Sequence, residues 1–199
     1  MNGKNKLLCV LKTTAVTLIS TALMGGAMTH RGSLIAMLPQ WAHLRSLAEK
    51  TVIHTVNGDE TVDISLDSGQ LIFTADSGSI VYEPEWLVTD IFIYDADHDD
   101  EDEVVLNVWK IGSFGEYRPF WKENETDDRM TEHIFIYDWQ TDDPERLRPI
   151  WMSSQMPVQG EFLRTEKNNL IITAPDGTVT YWRWETWGLA LVKTEDNNA

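Results

Sequence analysis

The chain has 199 residues, with 16 Lys and Arg against 32 Asp and Glu, for a formal net charge of −16. That length fits one domain, with or without a targeting segment, and 42% hydrophobic content is enough to build a core. The acidity excludes nucleic acid as a partner, because phosphate binding needs clustered Lys and Arg, and it argues equally against an anionic membrane surface.

Residues 1–27 carry Lys4, Lys6 and Lys12 and no acid, and an apolar run from Thr13 to Met28 follows the lysines. A basic flank, an apolar stretch and the small residues Gly25, Gly26 and Ala27 predict an N-terminal hydrophobic helix. It reads as a secretory signal peptide cleaved after Ala27 or as an uncleaved signal-anchor. The protein is thus expected to be secreted or extracytoplasmic, touching membrane only through this segment. Cys9 is the sole cysteine and lies inside it. Cleavage would leave a chain with no disulfide, Cys nucleophile or Cys-ligated metal. It would also remove three lysines and no acid, leaving a net charge of −19.

Residues 28–50 read as a linker or short helix broken by Pro39, with Trp41, Leu44 and Leu47 at helical spacing. From residue 51 to 199 the pattern changes to short runs rich in Val, Ile, Thr and aromatics, separated by polar turns. Strands are predicted near 61–66, 70–75, 79–83, 88–94, 103–110, 133–139, 147–152, 159–164, 169–174, 178–184 and 188–193. Asp76-Ser-Gly78 and Pro175-Asp-Gly177 are turn sequences. The fold class is all-β and antiparallel.

Three internal similarities stand out. IFIYD occurs at 91–95 and again at 134–138; LIFTADSGSIVY at 71–82 matches LIITAPDGTVTY at 170–181 in six of twelve positions; Ile80-Val81 leading to Val88 is similar to Ile150-Trp151 leading to Val158. Their offsets share no single period. Either similar strands have converged on similar residues, or the segments are divergent four-stranded blades. In the blade reading, Val88–Tyr94, Val104–Lys110, His133–Trp139 and Leu147–Ser153 form one complete unit. A shorter unit then covers Val158 to Lys193 and an incomplete one covers 51–86. Three units are too few for a closed ring, so a partial or open propeller-like array, or an oligomer that closes the ring, is expected.

Seven of the nine residues from Asp95 to Glu103 are acidic, and apolar strands flank the stretch. Carboxylates at loop positions 1, 3, 5 and 9, with a backbone carbonyl at 7, are the hard oxygen ligands that Ca²⁺ prefers. The alternative is a solvated acidic turn. The segment DADHDDEDEVVL resembles the calcium loop of FG-GAP/VCBS-type, integrin-like β-propeller repeats. That resemblance implies Asp95, Asp97, Asp99 and Glu103 as side-chain ligands and Glu101 at the backbone-carbonyl position. The bound calcium would be structural. Asp100 stands where the family usually has Gly.

The insertion from Lys110 to Thr131 holds Tyr117, Arg118, Phe120 and Trp121, which suit recognition of a sugar or peptide or, alternatively, a lid folded back on the sheet. Trp182 and Trp184 fall on one face of a strand and read as core. Catalytic signals are sparse. His30, His43, His54, His98 and His133 lack metal-site spacing. Ser153-Ser154 has no evident base. Glu83, Glu85 and Asp90 are the carboxylates a glycosidase would use. The expected function is non-catalytic binding or scaffolding, with a protein or glycan at the cell surface as partner. A carbohydrate-active enzyme, or a subunit completing a propeller, is the alternative.

Overall fold

The computed structural model describes residues 31–67, 69–76, 78–81, 86–115, 118–123, 126–143 and 146–196. The expected N-terminal hydrophobic helix therefore lies outside the described residues. The chain separates into two units, Met1–Met37 and Leu38–Ala199. In the first, residues 31–36 form a short helix. No helix among the described residues is long and apolar enough to cross a membrane.

The second unit is all-β. Three four-stranded antiparallel sheets follow one another along the chain, each a meander. The first contains β1 (Leu47–Ile53), β2 (Glu60–Asp67), β3 (Gln70–Ala75) and β4 (Gly78–Val81). The middle sheet contains β5 (Leu87–Tyr94), β6 (Glu103–Ile111), β7 (Met130–Trp139) and β8 (Leu147–Met152). The third contains β9 (Phe162–Glu166), β10 (Asn169–Thr173), β11 (Val179–Glu185) and β12 (Gly188–Glu195).

Side-chain alternation explains the layering. On β2, Val62, Ile64 and Leu66 are buried, while Thr61, Asp63, Ser65 and Asp67 face solvent. The first sheet is therefore half-buried, with a polar outer face. The middle sheet is buried on both faces. Val104, Leu106, Phe135 and Tyr137 pack with β2 and β3 in one core. Val105, Ile134 and Ile136 point the other way, into a second core with Leu170, Ile172 and Trp182. This double burial is why β6 and β7 carry the continuous apolar runs 104–106 and 134–137 rather than an alternating pattern. Phe73 against Trp139, with ring centroids 5.5 Å apart, joins the first layer to the second.

Several expectations need correction. Leu47 belongs to a strand rather than a helix, and β1 begins before residue 51. The unit expected to be incomplete at 51–86 is a full four-stranded sheet. The two IFIYD segments lie where the complete unit puts them, in β5 and β7 on either side of β6, so they are the first and third strands of one sheet and not matching strands of two blades. Likewise 71–81 spans strands three and four of its sheet, whereas 170–181 spans strands two and three. Both pairs thus match convergent strands. Ile80-Val81 and Ile150-Trp151 do occupy equivalent fourth strands.

Gly188 shows how tightly the third layer meets the second. Its φ is +139°, and an added Cβ would lie 2.2 Å from Trp151 Nε1 and 2.5 Å from Cδ1. Gly188→Ala is expected to cost about 2 kcal/mol or more through overpacking and backbone strain. A urea melt reads this directly, and an unchanged midpoint would show that Trp151 does not press on Gly188 in solution.

Candidate metal centre and neighbouring sites

The loop between β5 and β6 is built around Asp95. Its Oδ1 accepts the amides of His98 (2.7 Å) and Asp99 (3.1 Å), and its Oδ2 accepts that of Asp100 (3.3 Å). Asp99 Oδ1 accepts the Glu101 amide at 3.0 Å. His98 and Asp100 are both left-handed, at φ 70° and 71°. Asp tolerates that region better than most residues, so the loop closes although Gly is missing at position 100.

Carboxylate oxygens of Asp95, Asp97 and Asp99 lie within 4.8 Å of one another. Asp97 Oδ1 is buried and has no hydrogen-bond partner. Burial, and then the charges of Asp99, Asp138 and Asp95, hold the Asp97 carboxyl above its usual range. The geometry thus gathers three of the expected ligands. The remaining two carboxylates have other tasks. Buried Glu103 accepts the Ala96 amide at 2.6 Å and the Asp97 amide at 3.4 Å through Oε2, and its carboxyl is pushed up to about 8, chiefly by burial. Glu101 Oε2 accepts the Val56 amide at 2.9 Å. Asp102 bonds His54 in both directions, donating its amide to the His54 carbonyl and accepting the His54 amide through Oδ2. The acidic loop is therefore fastened to the β1–β2 connection.

In the insertion, Ser113 donates through N and Oγ to Asp127 Oδ2 at 2.7 and 2.5 Å. Lys110 Nζ donates to the Phe114 carbonyl. Phe120 and Trp121 are 75% and 68% exposed and form an edge-to-face pair with centroids 5.0 Å apart. Their exposure overturns the lid alternative for these two rings. The Arg118 guanidinium sits over the Phe114 ring, 5.7 Å from its centroid. Tyr117 lies outside the described residues, as do Glu83 and Glu85. Trp182 and Trp184 do share the inner core, and Trp187 is exposed.

Buried His133 meets the Ser153 carbonyl with Nδ1 and Thr131 Oγ1 and the Gly112 carbonyl with Nε2. Burial keeps it below the usual histidine range. The Ser153 hydroxyl accepts the Ile134 amide. His133 thus ties Gly112, near the start of the insertion, to the residue that follows β8, and Ser153 ties that residue to β7.

Sequence reasoning missed a polar cluster at one end of the middle sheet. A bulge at Thr89 sets Thr89 and Asp90 together opposite Asn107. Asn107 Nδ2 donates to Thr89 Oγ1 (2.9 Å) and to Glu132 Oε1 (2.8 Å), and Glu132 Oε2 accepts the Gly160 amide at 2.7 Å. The available signal was Asn107, a lone polar residue within the apolar run of β6.

Comparison with protein families, with characterised proteins and with solved structures returned no match.

Proposed function

We propose that the chain is an exported, non-catalytic binding or scaffolding protein whose loop 95–103 takes up one calcium ion, in the manner of the FG-GAP/VCBS loops it resembles. The observation that carries the ion is Asp97 Oδ1, a buried carboxylate oxygen without a partner, set between Asp95 and Asp99. An all-oxygen donor set suits a hard cation, which would relieve the mutual repulsion of these carboxylates. The role is structural, because the loop is tied to the β1–β2 connection and a cation would stiffen both together. The basic and then apolar segment 1–27 supports export. Exposed Phe120 and Trp121 supply a surface for a protein or glycan partner. The polar outer face of β2 argues against a further sheet stacking there to complete a propeller.

Thermal melts of the full chain in calcium and in chelator test the reading. At a calcium concentration of about a hundred times Kd, stabilisation of about 2.7 kcal/mol is expected. Asp97→Asn should abolish the calcium response and raise the melting temperature in chelator, since it removes one of the crowded charges. Equal melting temperatures with and without calcium would defeat the proposal.

A further inference from the structure

A pocket of about 310 Å³ opens between the middle and third sheets, roofed by the irregular segment before β1; it shares strands β5 and β6 with the acidic loop but none of the loop's residues line it. Its lining includes His43, Arg45, Asp90, Asn107, Trp109 and Phe162. The roof is fixed at two points. Trp41 packs edge-to-face on buried Trp109 with centroids 5.7 Å apart, and the Arg45 guanidinium donates to Asp90 Oδ1. The Ile91 amide donates to the same oxygen at 2.9 Å.

The floor holds an unmet demand. Asn107 is only 3% exposed. Both hydrogens of its amide nitrogen are engaged by Thr89 and Glu132, yet its Oδ1 has no partner. A buried amide oxygen left unpaired costs about 1–3 kcal/mol, so a donor arriving in the pocket would be favoured. Around this acceptor the wall offers both signs of hydrogen bond. Arg45 and His43 can donate, and Asp90 can accept. Phe162 stands at the rim 64% exposed, giving an apolar ring face beside the polar floor.

We propose that this pocket binds a pyranose-sized sugar or polyol. Hydroxyl groups donate and accept at once, which matches a wall carrying both kinds of partner. They would also meet Asn107 with its amide turned either way. The C–H face of a pyranose suits the Phe162 ring. A simple amine only donates, and it would compete with Arg45 for Asp90. The site is independent of the calcium loop and can fail or succeed without it.

The test is a titration of the full chain with methyl glucopyranoside, methyl galactopyranoside, N-acetylglucosamine and glycerol, followed by tryptophan fluorescence and by amide chemical shifts. Methylamine serves as the amine probe. Saturable binding of at least one sugar or polyol is expected, with shifts at Asn107 and Trp109. Arg45→Ala and Phe162→Ala change exposed side chains, and each should weaken binding about tenfold while circular dichroism stays unchanged. Three results would overturn the proposal: no saturation by any sugar or polyol, saturation by methylamine alone, or sugar binding that both variants leave intact. The last would move recognition to the Phe120–Trp121 surface.

Discussion

Phe135→Ala is expected to destabilise the protein by about 3–5 kcal/mol, the usual range for emptying a fully buried aromatic site. Phe135 is 0% exposed. It sits at the centre of the middle sheet, in register with Leu106 on one side and Met152 on the other. Its ring meets Trp86 edge-to-face at 4.9 Å and His133 at 5.7 Å. The cavity would open inside the core shared by the first and middle sheets, where β strands on both sides limit collapse. Domains of this size are stable by about 5–15 kcal/mol, so the variant loses a large share of the total. Phe135→Leu keeps most of the volume and should cost about 1–1.5 kcal/mol. Thr61→Ala, on the polar face of β2, should change stability by less than about 0.5 kcal/mol. Urea denaturation of the three variants provides the comparison. A Phe135→Ala loss below that of Phe135→Leu would mean that the first and middle sheets do not share one core.

How much of this layering can be read from sequence depends on whether each strand's burial leaves a period. Val62, Ile64 and Leu66 alternate with polar residues, so β2 is legible as a half-buried strand. The apolar runs 104–106 in β6 and 134–137 in β7 are legible as strands, and their double burial follows once three sheets are stacked. β1 escapes because it is an edge strand. Of its residues only Ile53 is fully buried, and LAEKTVI carries no clear period. The IFIYD repeat misleads for a related reason: any two strands flanking a doubly buried neighbour favour the same β-branched and aromatic residues. The acidic loop is legible because its carboxylates are local. Asp95, Asp97 and Asp99 converge through a turn of five residues. The work of Glu101 and Glu103 is not legible in that way, since Val56 comes from a distant connection and the placing of the Ala96 and Asp97 amides depends on the turn's final shape. Asn107 was visible as a polar interruption, but its partners Thr89, Glu132 and Gly160 meet only when β5, β7 and the approach to β9 are assembled.

Glu132 carries the second large expected effect, a pH dependence. It is 1% exposed. Burial dominates its environment and raises its carboxyl from 4.5 to about 7, although the hydrogen bonds from Gly160 and Asn107 partly offset this. Neither of those partners is charged. The folded state therefore keeps a proton that the unfolded chain releases between 4.5 and about 7. The contribution is fully present below 4.5 and is lost as pH rises through that interval. Its limit is about 3 kcal/mol, from about 1.4 kcal/mol per pH unit. Asp90, Asp97 and Glu103 are also raised and push stability in the same direction, so the Glu132 share must be isolated by difference. Glu132→Gln cannot ionise. Its carbonyl can accept the Gly160 amide, and its NH₂ can donate to Asn107 Oδ1 once that amide turns over. The Gln variant is therefore expected to match the parent at low pH, to be more stable near neutrality, and to show a flatter stability profile between the two. Glu132→Ala leaves the Gly160 and Asn107 donors unpaired and should be destabilised at every pH, by about 1–3 kcal/mol for each unmet group. Urea melts across the interval compare all three chains. A slope in the Gln variant equal to that of the parent would show that Glu132 is already ionised throughout, and that the cluster joining the middle and third sheets is wetter than its burial implies.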